Sequence, residues 1–158
     1  FASADLRENR ALLLSVARWH PSALRDGIHA FRADKNVVLE FVRHDGNALA
    51  HASAERQADD EVVLAAVKQC GMALQWAAKG PKASKEVVLE AVRQNAFALA
   101  HASVELRADE EVVREAVSRN GEAWKFASNE LQRDKALALV TARALQRDER
   151  NDPKRQNR

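Results

Sequence analysis

The chain has 158 residues, enough for one domain of ordinary size, and hydrophobic residues make up 46% of it. The formal net charge of +2 is too small to indicate a polyanionic partner, and Cys70 is the single cysteine, which excludes an internal disulfide and is compatible with a reducing compartment. No apolar run approaches the roughly 18 residues of a membrane span, and no signal-peptide pattern is present, so we expect a soluble protein of unknown compartment.

The chain begins inside a repeated pattern. The first seven residues, FASADLR, match the end of a 25-residue unit, and residues 8–32 form a looser copy of the whole unit. Because residue 1 is Phe1 and not Met, we expect that something upstream was removed, by processing or by other means.

Four copies of the unit follow without a gap, at 33–57, 58–82, 83–107 and 108–132, and are called units 1 to 4 below. Each copy predicts two short helices joined by a turn. The first helix has an N-cap residue near its start, and its apolar residues follow a helical stripe, as in Val37, Val38, Phe41 and Val42. The predicted N-caps of the four units are Asp34, Asp59, Ser84 and Asp109.

A glycine follows the first helix in three of the units, at Gly46, Gly71 and Gly121. Its position predicts a helix C-cap with positive φ, and Ala96 in unit 3 predicts a turn that is built differently. The second helix is predicted over 47–53 and its equivalents. Its expected buried anchors are Leu49, Leu74, Leu99 and Trp124.

Helices of about ten residues do not hold alone in water, so neighbouring units must cover their apolar faces. The sequence therefore predicts an all-α fold, an α-solenoid of 25-residue helix-turn-helix repeats. Its helical-repeat domain is expected over 1–149, and a basic tail over 150–158 is expected to be disordered. The domain comprises a partial repeat (1–7), five repeats (8–32, 33–57, 58–82, 83–107 and 108–132) and a terminal helix over about 134–148.

Unit 4 carries a recognisable motif in the runs DEEVV (109–113), AV (116–117), NG (120–121) and FASNEL (126–131). These runs resemble the signature D-x-x-V-V-L-x-A-V-x-x-N-G-x-A-L-x-x-A-S-x-E-L of a helical repeat family catalogued as domain of unknown function 4116. The resemblance covers about 33–132 and, more weakly, 1–32. It implies a module for contacts and brings no catalytic residues with it.

No pattern of residues points to catalysis. His51 and His101 occupy equivalent places two units apart, roughly 20 Å from each other if packed helices lie about 8–10 Å apart, whereas zinc ligands lie about 2 Å from the metal. Cys70 has no readable basic partner, the carboxylates are explained as helix caps, and no phosphate-binding glycine loop occurs. We therefore expect no catalytic residues, no metal, no cofactor and no enzymatic activity.

Some positions of the second helix vary from unit to unit at the spacing i, i+3, i+4, i+7, which places them on one helix face. Stacked units align such faces into a continuous surface, and we predict that a partner binds there. The predicted partner-binding residues are Met72, Gln75, Trp76, Phe97, His101 and Phe126. The alternative interpretation is that the bulky equivalents His51, Trp76, His101 and Phe126 pack between neighbouring units.

The leading functional hypothesis is a scaffold for protein–protein contacts, as a subunit or segment of a larger assembly. Its protein partner, its oligomeric state and the role of the tail stay open. The alternative is an RNA-binding helical repeat, in which Trp76 and Phe126 stack on bases. Residues 1–132 hold 17 Lys and Arg against 19 Asp and Glu, a net charge of −2, which disfavours contact with nucleic-acid phosphates.

Overall fold

The computed structural model describes residues 11–12, 14–15, 23–26, 29–134, 138 and 140–144. The predicted partial repeat (1–7) and the predicted disordered tail (150–158) lie outside these residues, as does much of the repeat at 8–32 and of the terminal helix. Throughout the described part the chain is helical and contains no strand, which confirms the all-α expectation.

Each unit begins with a ten-residue α-helix. The four first helices are Lys35–His44, Asp60–Gln69, Lys85–Gln94 and Glu110–Arg119. The predicted starts are confirmed, because Asp34, Asp59 and Asp109 each accept hydrogen bonds from two backbone N–H groups of the first turn. Ser84 occupies the same place but makes no side-chain capping bond. The buried stripe of each helix consists of three Val and one Ala in units 2 to 4.

The second element of each unit is a 3₁₀ helix of six residues and not the predicted α-helix. The residue before it is extended, with φ between −143° and −149°, and in three units its side chain, Asp45, Asn95 or Asn120, accepts from the N–H two residues later. This local bond sets the chain into a tight turn. The 3₁₀ helices are Gly46–His51, Gly71–Trp76, Ala96–His101 and Gly121–Phe126.

The prediction that the glycines take positive φ is wrong, since no described residue has a positive φ. A Cβ on Gly46 would lie 2.4 Å from the carbonyl oxygen of Ala66, and one on Gly71 would lie 2.4 Å from that of Ala91. Glycine is therefore used there for close approach to the next unit's first helix. The prediction for Ala96 is also wrong, because its turn has the same extended cap and 3₁₀ helix as the others.

A third, short helix closes each unit: Ala54–Gln57, Lys79–Ala83, Val104–Arg107 and Asn129–Gln132. Two further short helices, Ala23–Asp26 and His29–Ala33, precede unit 1. In units 1, 2 and 4 the last residue donates a side-chain hydrogen bond to carbonyl groups of its own 3₁₀ helix. The bonds are Gln57 Nε2 to Leu49 O (3.1 Å), Lys82 Nζ to Gln75 O (2.8 Å) and Gln132 Nε2 to Trp124 O (3.2 Å).

Successive units pack on each other, first helix against first helix and 3₁₀ helix against 3₁₀ helix. A backbone hydrogen bond of 2.8 Å joins each unit to the one before it, in the pairs Ser53 N to Arg32 O, Ala78 N to Gln57 O, Ser103 N to Lys82 O and Ser128 N to Arg107 O. Of the four predicted anchors of the second helix, Leu49, Leu74 and Leu99 are fully buried, whereas Trp124 is only half-buried.

Lysine ion pairs join neighbouring units at two of the three junctions between units 1 to 4. Lys35 Nζ lies 2.9 Å from Asp59 and 2.7 Å from Glu61, and Lys85 Nζ lies 2.8 Å from both Asp109 and Glu111. The hydrogen bond from Lys85 lowers the pKa of the Asp109 carboxyl, and the bonds to Asp109 and then Glu111 raise the pKa of Lys85. Unit 2 carries Asp60 in place of this lysine, so the junction between units 2 and 3 lacks the equivalent bridge.

Candidate functional site

In each 3₁₀ helix some positions are buried in the core and others remain accessible to solvent. The first, third and fourth residues are buried in units 1 to 3, as at Gly46, Ala48 and Leu49. The second, fifth and sixth residues, where the units differ in sequence, are half-buried or exposed in every unit. They are Asn47, Ala50 and His51; Met72, Gln75 and Trp76; Phe97, Ala100 and His101; and Glu122, Lys125 and Phe126.

These residues do not form the single α-helical face that the spacing predicted. A 3₁₀ helix has about three residues per turn, so positions i and i+3 share an edge while i+4 is rotated away from it. The i+4 residue is the last of the 3₁₀ helix, as Trp76 is in Gly71–Trp76, and the i+7 residue, Lys79, already belongs to the third helix. Each unit therefore contributes a small patch made of two elements.

Phe97 and Phe126 form an aromatic pair between units 3 and 4. Their rings lie edge to face, with centroids 6.1 Å apart and an interplanar angle of 87°. Lys125 Nζ lies 5.3 Å from both centroids. Both rings remain half-buried, so the pair combines packing between units with an accessible apolar surface.

Trp76 is the most open aromatic residue of the predicted set, with 42% of its surface exposed. Met72 and Gln75, in the same 3₁₀ helix, are half-buried. His101 is half-buried as well, and burial, followed by the charge of Lys82, lowers the pKa of its imidazole. Burial thus disfavours the charged form of His101.

The first-helix side holds a feature that the sequence did not predict. A cavity of about 480 Å³ lies between the first helices of units 1 and 2, and its lining includes Leu39, Leu64 and Ala65 together with Arg43 and Lys68. The recurrence of leucine at 39, 64 and 89 was the available signal, but the neighbouring charged residues gave this side the pattern of a solvated face.

The described residues hold no group of three or more His, Cys, Asp or Glu side chains placed to bind a metal. The Cys70 thiol is half-buried and accepts a long contact of 3.9 Å from Asn47 Nδ2. In the part of the chain that the structure describes, every helix is too short or too polar to cross a bilayer.

A family model described as Domain of unknown function (DUF4116) matches residues 34–79 and 84–135. The first match covers unit 1 and most of unit 2, and the second covers units 3 and 4. No curated protein and no solved structure matches the chain.

Proposed function

The chain belongs to this family of unknown function, and from that premise we propose that it is a non-catalytic helical-repeat scaffold for protein–protein contacts. Its units stack as an α-solenoid, and it acts as a subunit or segment of a larger assembly. In such a stack the buried residues hold the units together, while the accessible positions are free to vary with the partner.

The accessible row of varying residues on the 3₁₀ helices is the observation that carries the proposal. It presents an exposed indole at Trp76, a half-buried thioether at Met72 and the Phe97–Phe126 pair, all between polar neighbours. Aromatic residues and Met are enriched at the cores of protein interfaces, where truncation of a few anchors removes most of the binding energy. We propose that the partner contacts this row, with Met72, Trp76 and Phe97 at the centre of the interface.

The same aromatic pair argues against the RNA alternative. Base stacking needs open aromatic faces, and Lys125 Nζ lies over both the Phe97 and the Phe126 ring. A cation over an aromatic ring is compatible with a protein partner, which supplies a carboxylate to Lys125 while its apolar side chains contact the rings.

The test is a paired measurement on Phe97→Ala and Met72→Ala. The intact protein is cross-linked to its partner and the partner is identified by mass spectrometry. The affinity of each variant for it is then measured beside its thermal stability. We expect a loss of about 2 kcal/mol or more in binding, roughly 30-fold, with a smaller change in unfolding free energy.

Arg119→Ala is the control, because this exposed first-helix residue forms its ion pair with Glu115 of its own helix, at 2.8 Å, and lies away from the 3₁₀ row. It should bind like the wild type. Unchanged affinity in both Phe97→Ala and Met72→Ala, or a loss that merely follows unfolding, contradicts the assigned surface.

A further inference from the structure

The cavity between the first helices of units 1 and 2 has an apolar floor. Leu39 is 7% exposed, and Leu64 and Ala65 are partly buried beside it. Arg43, Lys68, Glu61 and Gln69 complete the lining. The cavity, called the Ala65 groove below, lies on the first helices and is separate from the row of 3₁₀ residues.

The equivalent place between units 3 and 4 is occupied by charged side chains. The residue corresponding to Ala65 there is Glu115, and it lies 3.9 Å from Arg93 of the preceding unit and 2.8 Å from Arg119. The residue corresponding to Leu64 is Arg114, which pairs with Glu110. Units 1 and 3 also carry glutamate at this position, so Ala65 is the exception among the four.

With Ala65 in place of glutamate, Arg43 lacks the carboxylate across the unit boundary that Arg93 has in Glu115. Arg43 corresponds to Arg93 but faces Ala65 across the unit boundary, and its remaining carboxylate contact is Glu40 of its own helix, at 3.9 Å. Lys68 is exposed and makes no ion pair with any described residue. The one acid of the lining, Glu61, is already bound by Lys35 at 2.7 Å.

We propose that the Ala65 groove docks an acidic peptide segment of a partner protein, with an apolar side chain of leucine size on the floor and carboxylates on Arg43 and Lys68. The leucine floor selects a peptide over other polyanions, because apolar contact and charge must be satisfied together. Binding at the Ala65 groove does not require the row of 3₁₀ residues, so each surface can bind its own ligand without the other.

The experiment uses a short synthetic helical peptide with a leucine stripe flanked by glutamates, labelled for fluorescence anisotropy, and the full chain. Two matched peptides accompany it: one in which the flanking glutamates are glutamines, and one in which the leucines are serines. We expect the acidic leucine peptide to bind at least about tenfold more tightly than either, with an affinity that falls as salt is added.

Three variants locate the binding. Ala65→Glu restores the residue of the other units, so it should fold normally while it fills the groove and neutralises the rim, and binding should weaken about tenfold or more. Lys68→Ser introduces the residue that unit 4 carries at Ser118 and should weaken binding by charge alone. Phe97→Ala should leave binding of the peptide unchanged.

The proposal is overturned if the acidic leucine peptide does not bind at about 1 mM, if the serine or glutamine peptide binds equally well, or if Ala65→Glu binds like the wild type at unchanged thermal stability. If Phe97→Ala reduces peptide binding as much as Ala65→Glu does, the peptide occupies the 3₁₀ row, which also overturns the proposal. Because the peptide assay does not use the natural partner, its failure is distinct from failure of the scaffold function.

Discussion

A leucine on the 3₁₀ helix and an arginine on the first helix illustrate how the position of a side chain in the unit determines its contribution to the stability of the fold. Leu99 is fully buried between units. Arg114 stands where the other three units have leucine, and its side chain is 49% exposed and paired with Glu110. An exposed ion pair within one helix contributes little, because solvent screens it, whereas a buried leucine contributes both apolar burial and close packing.

Leu99→Ala should therefore destabilise the protein by about 2–5 kcal/mol through the cavity that it leaves. Arg114→Ala should change the free energy of unfolding by no more than about 0.5 kcal/mol. Urea denaturation of both variants measures the two values under the same conditions. Equal costs would mean that the assignment of buried and solvent faces is wrong.

Residues whose role is local could be read from the sequence, and those that act between units could not. Asp34, Asp59 and Asp109 cap their helices by bonds to neighbours two and three residues away, so the sequence alone predicts the helix starts. At Gly46 and Gly71, by contrast, a side chain would collide with a backbone carbonyl oxygen that lies twenty residues further along the chain, in the next unit. For Phe126 the alternative interpretation, packing between neighbouring units, agrees with its contact with Phe97, but the spacing did not identify Phe97 as the partner.

At the scale of the element, the carbonyl end of the 3₁₀ helix in units 1, 2 and 4 carries a recurring interaction made by residues of different types. The donors are Gln57, Lys82 and Gln132, which differ in chemistry and charge and therefore look variable in the sequence. They share an N–H donor at the end of a flexible side chain, and that is what carbonyl groups without a helical partner require. The end of the 3₁₀ helix thus depends on the last residue of the unit.

Gln57→Ala should cost about 0.5–1.5 kcal/mol, because the carbonyl groups of Leu49 and Ala50 lose a donor that is partly shielded from water. Gln57→Lys should be close to neutral, since Lys82 fills the same role in unit 2. Thermal unfolding of the two variants beside the wild type gives the comparison. If Gln57→Lys loses as much stability as Gln57→Ala, an N–H donor at position 57 is not the source of the stabilisation.

Across the whole molecule, the junctions between units are unequal. The first and third junctions carry a lysine bridged to two carboxylates, Lys35 and Lys85 respectively. The second junction has Asp60 in the lysine's place and Ser84, which makes no side-chain capping bond, in the place of the capping aspartate. Among the junctions between units 1 to 4, the one between units 2 and 3 therefore lacks both the lysine bridge and the side-chain cap.

Converting that junction to the pattern of its neighbours should stabilise the protein. Ser84→Asp alone should add about 0.5–1 kcal/mol as an N-cap, reduced by repulsion from Asp60. Asp60→Lys supplies a cation facing residues 84 and 86, and the double variant should exceed the sum of the two single variants by about 0.2–1 kcal/mol. A double-mutant cycle by urea denaturation measures this coupling, and additive effects would show that a lysine at position 60 does not bridge to an aspartate at position 84.

The backbone bond that joins each unit to its predecessor has a consequence for how the chain grows. Every unit offers a free N–H at its twenty-first residue, as in Ser53, and a free carbonyl at its last, as in Gln57, and the neighbouring unit uses the complementary group. A duplicated segment of 25 residues, the interval between Ser53 and Ala78, or of a whole multiple of 25, extends the array with both groups paired, whereas an insertion that breaks this interval separates the N–H from its carbonyl partner. Lengthening the array by whole units therefore preserves the backbone bond at every junction.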